Sequence, residues 1–428
     1  MPVPVLEDFQ QRGLVADVTT PAELDAHLAE ASRTIYVGFD PTADSLHVGS
    51  LVPLLALRRC QLAGHRPIVL VGGGTGLIGD PAGKAGERAL NPEEQVAACA
   101  ARLKEQVRPF LDFDRGDYAA LLVDNYEWLS RLEVIPFLRD IGKHFSVGAM
   151  VARDSVRTRL GAGISYTEFS YQVLQAYDFL ALSERHGCTV QMGGSDQWGN
   201  ITAGIDLLRR VRGTAAHGLT MPLVTKGDGT KFGKTESGTI WLDPARTSGY
   251  EMYQFWLNTA DADVGRFLKY FTFLPPAEID DLVRHSAAAP EKREPQRVLA
   301  REVTRLVHGA DGLAEAEAIT EALFHGDVAR LGERQLRDAL EGAPSSVLPG
   351  AAGVFIPVVD LLLASGLASS KRAARELISQ GAIQLNGQPV GDPARTVSPA
   401  SEALHGRYLV LRKGKKSYHL VTVDPGGA

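Results

Sequence analysis

The 428-residue sequence lacks any apolar run near the roughly 20 residues that a membrane span needs. Its three cysteines, Cys60, Cys99 and Cys188, are far apart, which excludes a CxxC-type metal site and fits a reducing compartment. We find no internal repeat, and the N-terminus has neither a basic start nor a small-residue cleavage site. These absences predict a cytoplasmic protein with no signal peptide and no membrane contact.

Composition fits a globular protein, with 44% hydrophobic and 22% charged residues in a chain long enough for about three domains. The net charge of -6 argues against a protein that binds nucleic acid over its whole surface. Residues 355–428, however, carry nine Lys/Arg against five Asp/Glu. This basic terminal module suggests a local contact with a polyanion, although ordinary scatter of surface charge is the alternative.

Predicted strands and helices alternate through the first half of the chain. Apolar, β-branched segments near residues 36, 67–71, 118–123, 189–192 and 219–224 are strand candidates, and helical patterns separate them. This alternation predicts an α/β fold with a Rossmann-like, doubly wound parallel sheet. Residues 250–326 show only helical periodicity, 342–354 have the Gly/Pro/Ser content of a linker, and Ser370 caps a helix in a small terminal α+β module.

The stretch from Tyr36 to Ser50 begins as a strand, breaks at Asp40-Pro41 and ends where a helix begins. A helix N-terminus offers unpaired N–H groups to a phosphate, and Gly49 has no Cβ to keep a flat ligand away. A nucleotide site is therefore one interpretation. An ordinary βα turn whose His47 caps the helix is the other.

Polar side chains follow four of the predicted strands, at the edge where ligands bind to open α/β sheets. They are Asp40, Thr42 and His47 after the first strand, Thr75 and Asp80 after the second, Asn125 after the third, and Asp196 and Gln197 after the fourth. Four agreeing loops favour a ligand site at this edge.

Tyr171, Gln175 and Asp178 have the spacing i, i+4 and i+7, which places them on one face of a predicted helix. The face is either a solvated stripe or a set of a phenol, an amide and a carboxylate for a small amphipathic ligand. With Tyr36 nearby, such a set could hold both an ammonium group and a hydroxyl.

Two further segments are basic. Lys231 and Lys234 flank Phe232-Gly233 in a loop that departs from a P-loop, because Asp228 stands where that motif needs glycine. Two ammonium groups there suit a polyphosphate, although a basic loop is often only surface. In the terminal module, Lys371, Arg372 and Arg375 form a basic helix edge that suits a phosphate backbone.

These segments resemble a known family. His47-Val-Gly-Ser50 is similar to the HIGH signature of class I aminoacyl-tRNA synthetases, and Lys231-Phe-Gly-Lys-Thr235 to their KMSKS signature. The bacterial tyrosyl-tRNA synthetase family is matched more specifically, almost throughout the chain, with an S4-like RNA-binding module from about Ile356. The motifs that carry this match are residues 38–47, 76–81, 167–171, 175–178 and 193–200.

The resemblance implies a homodimer that makes tyrosyl-adenylate from L-tyrosine and ATP with Mg²⁺, with no dedicated protein metal site, and then charges tRNA(Tyr). It assigns the substrate phenol to Tyr36 and Asp178, and its ammonium group to Asp80, Tyr171 and Gln175. It assigns ATP and the activated carboxyl to Gly38, Asp40, His47, Gly49, Ser50, Asp196, Gln197 and Lys234. Thr42 and His47 would stabilise the pyrophosphate end of the transition state, beneath Lys84, Arg88, Lys231, Lys234 and Thr235.

The implied domains are a catalytic domain at 1–248 with a dimerisation insertion at about 126–190, an α-helical anticodon-side domain at 249–341, and an S4-like domain at 355–428 beyond the linker. Ser50 departs from the family at the fourth HIGH position, which puts a ribose contact in doubt. Two alternatives stay open: a non-catalytic RNA-binding relative, and an adenylate-forming ligase that acts on small molecules. The first requires lost chemistry although the other proposed site residues are present, and the second leaves the terminal modules without a purpose.

Overall fold

The computed structural model forms two compact units. The first comprises Met1–Arg246 with Leu257–Val307, and the second comprises Thr247–Trp256 with His308–Ala428. The structure describes residues 4–82, 90–114, 116–153, 156–157, 159, 161, 163–225, 232–235, 238–349, 355–414 and 417–424. Within these ranges, no helix has both the length and the apolar character that crossing a membrane requires.

A six-stranded sheet forms the centre of the first unit. In chain order its strands are β1 (Asp17–Val18), β2 (Thr34–Phe39), β3 (Arg66–Val71), β4 (Leu121–Asp124), β5 (Cys188–Gly194) and β6 (His217–Met221). Their order across the sheet is β1-β6-β5-β2-β3-β4, and every neighbouring pair is parallel except β1 with β6. The predicted doubly wound parallel sheet is confirmed, with one short antiparallel strand added at its edge.

This strand order places a change of direction between β2 and β5. The chain moves outward from β2 to β3 and β4, and then returns to the other side of β2 with β5 and β6. At such a point the loops that leave neighbouring strands diverge and open a crevice for a ligand.

Helices surround the sheet, and apolar side chains fill the space between them. Leu54, Leu55 and Leu57 of the helix Leu51–Leu62 have no exposed surface, which fits the apolar segment predicted after His47. Each fully buried side chain of this size contributes about 1.5–3 kcal/mol to folding. The helices that lie wholly in this unit and have eight or more residues are Val5–Arg12, Pro21–Glu30, Leu51–Leu62, Glu93–Val107, Tyr166–His186, Trp198–Arg212, Asp261–Phe271 and Pro276–Ser286.

The long helix Tyr166–His186 begins where the sequence predicts it. Ser165 is its N-cap, and its Oγ accepts a hydrogen bond from the backbone N–H of Glu168 at 3.2 Å. Phe179 and Leu182 of this helix pack into a core with Tyr36 of β2 and Ile68 of β3. The helix face that carries Tyr171, Gln175 and Asp178 is thereby fixed against the sheet.

The second unit contains a five-stranded sheet of β9 (Ser345–Pro349), β11 (Ile383–Leu385), β12 (Gln388–Pro389), β14 (Tyr408–Lys413) and β15 (Ser417–Asp424). The order of these strands across the sheet is β12-β11-β14-β15-β9. Two other short strands, β10 (Ile356–Pro357) and β13 (Thr396–Val397), pair with each other. The helices of seven or more residues that lie wholly in this unit are Glu333–Leu340, Val358–Ala364 and Lys371–Ser379, whereas Gly249–Leu257 and Glu294–His325, which kinks at Gly309, include residues of both units.

The linker predicted at 342–354 needs a correction, because residues 345–349 form β9 and pair in parallel with β15. Glycine and proline at the ends of this segment suggested a linker. Its centre, Ser345-Ser-Val-Leu348, is compatible with a strand, and Leu348 packs against the core of the unit. The pairing strand is about 70 residues away in sequence, so local composition does not reveal it.

Candidate active site

A cavity of about 740 Å³ lies in the first unit beside the carboxyl ends of β2, β3, β4 and β5. Sequence reasoning predicted most of its polar lining, and the structure brings those residues together. The predicted site residues that line it are Tyr36, Gly38, Asp40, Thr42, His47, Gly49, Ser50, Asp80, Tyr171, Gln175, Asp178, Asp196 and Gln197.

One part of the cavity, which we call the buried end, is formed by Tyr36, Asp80, Tyr171 and Asp178. Each of these polar side chains is at most 8% exposed. Burying a polar group without a hydrogen-bond partner costs free energy, so the hydrogen bonds at this end show which polar atoms are already paired.

Asp178 accepts two hydrogen bonds from neighbouring side chains. Asn125 Nδ2 donates to Asp178 Oδ2 at 2.9 Å, and Trp128 Nε1 donates to Asp178 Oδ1 at 2.8 Å. Burial raises the pKa of Asp178 to about 8, although both donors oppose that rise. Asp178 therefore presents a fixed carboxyl group whose oxygens can accept a further hydrogen bond.

Tyr36 and Gln191 hold polar atoms that have no hydrogen-bond partner among the described residues. These atoms are the hydroxyl of Tyr36 and Oε1 of Gln191, both fully buried at the cavity wall. Burial raises the pKa of Tyr36 well above its usual range, and the charge of Asp178 adds to that rise. A ligand hydroxyl between Tyr36 and Asp178 would satisfy the Tyr36 hydroxyl and find an acceptor.

Two further carboxyl groups, those of Asp40 and of Asp80 at the buried end, also line the cavity. Tyr171 donates its hydroxyl proton to Asp40 Oδ2 at 2.8 Å, and Thr75 Oγ1 donates to Asp40 Oδ1 at 2.8 Å. Gln197 Nε2 donates to Asp80 Oδ2 at 2.7 Å, and burial raises the pKa of Asp80 to about 6. Carboxylates and amide oxygens so close together favour a cationic group of the ligand.

Gln175 belongs to the same network. Its Nε2 donates to Gln197 Oε1 at 3.2 Å, and its Oε1 accepts from Asn200 Nδ2 at 3.0 Å. The amide orientation of Gln175 is therefore set by residues on the loop and helix that follow β5.

The other part of the cavity, which we call the open end, is formed by Gly38, His47, Gly49, Ser50 and Asp196. Gly38, His47 and Asp196 are exposed. Nδ1 of His47 accepts from the backbone N–H of Gly49 at 3.0 Å, so in the neutral ring the proton lies on Nε2. His47 thus caps the turn, as the alternative interpretation held, and also lines the cavity.

The structure shows a second reason why position 49 is a glycine. A Cβ on Gly49 would lie 2.7 Å from Cε1 of His47. A side chain at position 49 would therefore collide with the His47 ring. Ser50 also lines the cavity, and its backbone N–H donates to the carbonyl of His47 at 2.8 Å.

The basic loop reaches the same cavity through the residues that follow Lys231. Phe232 and Gly233 line the cavity, and the backbone of Lys234 and Thr235 forms β7, which pairs with β8 (Gly238–Thr239). Lys84, Arg88 and Lys231 lie outside the described residues, as do the side chains of Lys234 and Thr235.

Sequence reasoning missed two residues that line the cavity, Gln191 and Trp241, and one residue behind it, Trp128. Trp128 resembles a core aromatic in the helix Tyr126–Leu129, and Trp241 follows the basic loop with no polar signal. Gln191 carried the one available signal, since a polar residue interrupts the apolar pattern of β5. The structure shows that Trp128 supports Asp178 and that Gln191 and Trp241 form part of the wall.

The predicted basic edge lies in the second unit. Lys371, Arg372 and Arg375 are exposed on the helix Lys371–Ser379, while Ala374 and Ile378 on its other face are buried. Ser370 Oγ caps this helix by accepting from Ala373 N–H at 3.1 Å.

Among the described residues, no group of three or more His, Cys, Asp or Glu side chains is arranged to bind a metal ion. The polar groups of the cavity instead form hydrogen-bonded pairs and chains.

Comparison with protein families gives two matches along the chain. Residues 29–325 match the model for class I tRNA synthetases (W and Y), and residues 335–421 match the tyrosine–tRNA ligase SYY-like C-terminal domain. Together they cover both compact units.

Several curated bacterial proteins are similar to nearly the whole chain. A tyrosine–tRNA ligase of Bacillus caldotenax is 55% identical over 97% of this chain and 99% of its own length. A tyrosine–tRNA ligase of Aliivibrio fischeri is 53% identical over 97% of this chain and 98% of its own length.

Solved structures agree with this likeness. A C-terminally truncated mitochondrial tyrosyl-tRNA synthetase of Aspergillus nidulans has a TM-score of 0.69 and 32% identity over 75% of this chain and 94% of that one. A tyrosyl-tRNA synthetase of Archaeoglobus fulgidus, complexed with L-tyrosine, has a TM-score of 0.55 at 17% identity over 73% of this chain and 100% of its own, which supports the fold alone.

These matches confirm the resemblance that the sequence motifs predicted. The chain belongs to the tyrosine–tRNA ligase family within the class I tRNA synthetases.

Proposed function

We propose that the chain is an ATP-dependent tyrosine–tRNA ligase. It joins L-tyrosine to ATP, forming tyrosyl-adenylate and pyrophosphate, and then transfers the tyrosyl group to the 3′ end of tRNA(Tyr). The observation that carries this proposal is the buried pair of Tyr36 and Asp178, where a hydroxyl without a partner among the described residues and a carboxyl group line the same cavity end.

Recognition of tyrosine begins with its phenol. The phenol hydroxyl would accept a hydrogen bond from Tyr36 and donate one to Asp178, whose orientation Asn125 and Trp128 fix. Phenylalanine would leave the buried Tyr36 hydroxyl without a partner, at a cost of about 1–3 kcal/mol, and would not supply the further hydrogen bond that Asp178 can accept. The buried end is thereby selective for a hydroxylated ring.

The ammonium group of tyrosine would lie near Asp80, Tyr171 and Gln175. The buried carboxyl group of Asp80 is oriented by Gln197, and Tyr171 is oriented by its bond to Asp40. An ammonium beside Asp80 would lower the pKa of that carboxyl from about 6 and keep it ionised.

The reaction itself needs positioning more than acid or base. A carboxylate oxygen of tyrosine attacks the α-phosphorus of ATP, the bond from that phosphorus to the bridging oxygen breaks, and pyrophosphate leaves with the electron pair. In the second step a ribose hydroxyl at the tRNA 3′ end attacks the tyrosyl carbonyl carbon, and AMP leaves. Charge stabilisation and alignment are the main sources of rate in such transfers.

Groups at the open end would serve ATP. His47 and Thr42 line the cavity, and their Nε2–H and hydroxyl groups would donate to the phosphates, while Gly38, Gly49, Ser50, Asp196 and Gln197 line the remaining space. ATP would carry Mg²⁺ on its phosphates. By their place in the motif, Lys84, Arg88, Lys231, Lys234 and Thr235 would complete the pyrophosphate site.

The homodimer is supported by an exposed apolar set in the segment proposed as the dimerisation insertion, at about 126–190. Val134, Ile135, Val147 and Tyr166 are each at least 66% exposed. Light scattering on the Ile135→Asp variant should show loss of the dimer, whereas Leu62→Asp, which changes another exposed aliphatic residue, should leave it intact. A monomeric unaltered chain would contradict the proposal.

The second unit would bind tRNA. The exposed guanidinium groups of Arg372 and Arg375 suit phosphate contacts, and Lys371 Nζ lies 2.8 Å from Asp360. The proposed division is a catalytic domain at 1–248, an α-helical anticodon-side domain at 249–341 and an S4-like RNA-binding domain at 355–428. Such a protein would act in the cytoplasm, where tRNA is charged.

The function is tested by tyrosine-dependent exchange of labelled pyrophosphate into ATP, followed by charging of tRNA(Tyr) with labelled tyrosine. Exchange and charging are both expected with tyrosine and not with phenylalanine. RNA binding without exchange would favour a non-catalytic relative, and exchange without charging would favour a small-molecule ligase.

A further inference from the structure

Phe232 is the apolar residue between the two lysines of the basic loop. Its ring packs against Phe267 and Phe271, and we call this pair of rings the aromatic seat. The Phe232 centroid is 5.0 Å from Phe267, with the rings edge to face, and 5.3 Å from Phe271, with the ring planes 16° apart. Phe267 and Phe271 belong to the helix Asp261–Phe271 and are almost fully buried. Such aromatic pairs stabilise a contact beyond the area that they bury.

The next residue holds the loop against the helix start that carries His47. Gly233 has φ of 77°, and a Cβ there would lie 2.8 Å from Cγ2 of Val48. The carbonyl of Gly233 accepts from Ile240 N–H at 2.9 Å, and the carbonyl of Ile240 accepts from Val48 N–H at 3.1 Å. Phe232 and Gly233 are thus fixed between the aromatic seat and the open end of the cavity.

The aromatic seat is tied to the same frame as His47. Arg59 NH2 donates to the carbonyl of Thr272, directly after the helix that carries the seat, at 2.5 Å. Arg59 lies on the helix Leu51–Leu62, which begins beside Ser50. The helix Leu51–Leu62 therefore begins at the open end and also binds the residue that follows the aromatic seat. This helix links the position of the seat to the position of His47.

We propose that Phe232 is a positioning residue for adenylate formation, an inference that rests on the proposed function. It carries no charge and performs no chemistry. By occupying its seat, it fixes the backbone from which Lys231 and Lys234 extend on either side. Loss of the ring would move that backbone relative to His47, and misplacement by about 1 Å costs roughly 100-fold in rate.

The test compares Phe232→Ala with the unaltered chain in pyrophosphate exchange at saturating tyrosine and ATP. The rate is expected to fall about 10- to 100-fold, while KM for tyrosine stays within about twofold, because the buried end is untouched. Phe232→Met should recover the rate to within about threefold, since a thioether fills the space and contacts aromatic rings favourably.

Phe113→Ala is the matched control, because Phe113 is also half-buried in the first unit but packs near Arg108. It should exchange at the unaltered rate, and melting temperatures measured for all variants should show that Phe232→Ala is folded. Equal rates for Phe232→Ala and the unaltered chain would overturn the inference. A parallel loss of tyrosine affinity and melting temperature would also overturn it. No exchange by the unaltered chain would instead overturn the proposed function, and this inference with it.

Discussion

The buried and open ends of the cavity are built in different ways. At the buried end, side chains from β2 and the helix Tyr166–His186 meet, and neighbours such as Asn125 and Trp128 fix their orientation. At the open end, backbone turns and glycines form much of the wall, and the charged groups expected there lie on loops. We propose that this difference reflects a division of work, in which the buried end selects the amino acid and the open end accelerates the reaction with ATP.

The largest effect should come from the open end. Replacing both loop lysines, in a Lys231→Ala, Lys234→Ala double variant, should slow adenylate formation by about 10³-fold, because two charges that stabilise the leaving pyrophosphate are lost. Tyrosine affinity, measured by equilibrium dialysis, should change little. A fall in tyrosine affinity in step with the rate would remove the distinction between the two ends.

A smaller effect is expected from Asp178→Asn at the buried end. The amide offers one acceptor oxygen and points an NH₂ group at a neighbouring donor, so kcat/KM for tyrosine should fall about 100-fold. The melting temperature should fall much less than it would after the loss of a contact in the hydrophobic core. Equal losses of activity and stability would show that Asp178 is a structural residue.

Tyr36→Phe sharpens the comparison further. Removing a buried hydroxyl that has no partner among the described residues should not lower the melting temperature of the ligand-free chain. Preference for tyrosine over phenylalanine, measured as a ratio of kcat/KM values, should fall about tenfold. A clear loss of stability would mean that the hydroxyl already serves the fold.

The smallest effect is a pH dependence of stability that arises at the buried end. The pKa of Asp178 is about 8 in the folded chain and 3.8 ordinarily, so the folded state holds its proton more tightly than the unfolded state. Its contribution to stability is therefore present below pH 4 and is lost as pH rises to about 8. Without tyrosine, the melting temperature of the unaltered chain minus that of Asp178→Asn should decrease over this range. A constant difference would contradict the raised pKa.

Local sequence patterns were sufficient to predict much of the fold. The Ser165 cap, the apolar run of β3 and the helix after His47 depend on neighbouring residues, and the structure has each of them within a few positions. By contrast, β9 pairs with a distant strand and was predicted to be part of a linker. Interactions between distant segments explain that difference.

The same limit applies to the cavity. Polar residues at strand ends and on one helix face were visible in the sequence, because chain direction and helical spacing place them together. Trp128 was not visible, since it is 50 residues from Asp178, and Asn125 was predicted at the same edge of the sheet but not as a donor to Asp178. The family resemblance suggested the roles of Tyr36 and Asp178. The structure adds the orientation of Asp178 and a Tyr36 hydroxyl that has no partner within the described part of the chain.

The division of work is tested most directly by measuring two quantities on the same variants: the dissociation constant for tyrosine, and the single-turnover rate of adenylate formation at saturating tyrosine and ATP. For Asp178→Asn, we predict weaker tyrosine binding and a rate within about tenfold of the unaltered chain. For the lysine double variant, we predict unchanged binding and a rate reduced about 10³-fold. If both variants lose binding and rate in the same proportion, the two ends do not have separate functions and the account is contradicted.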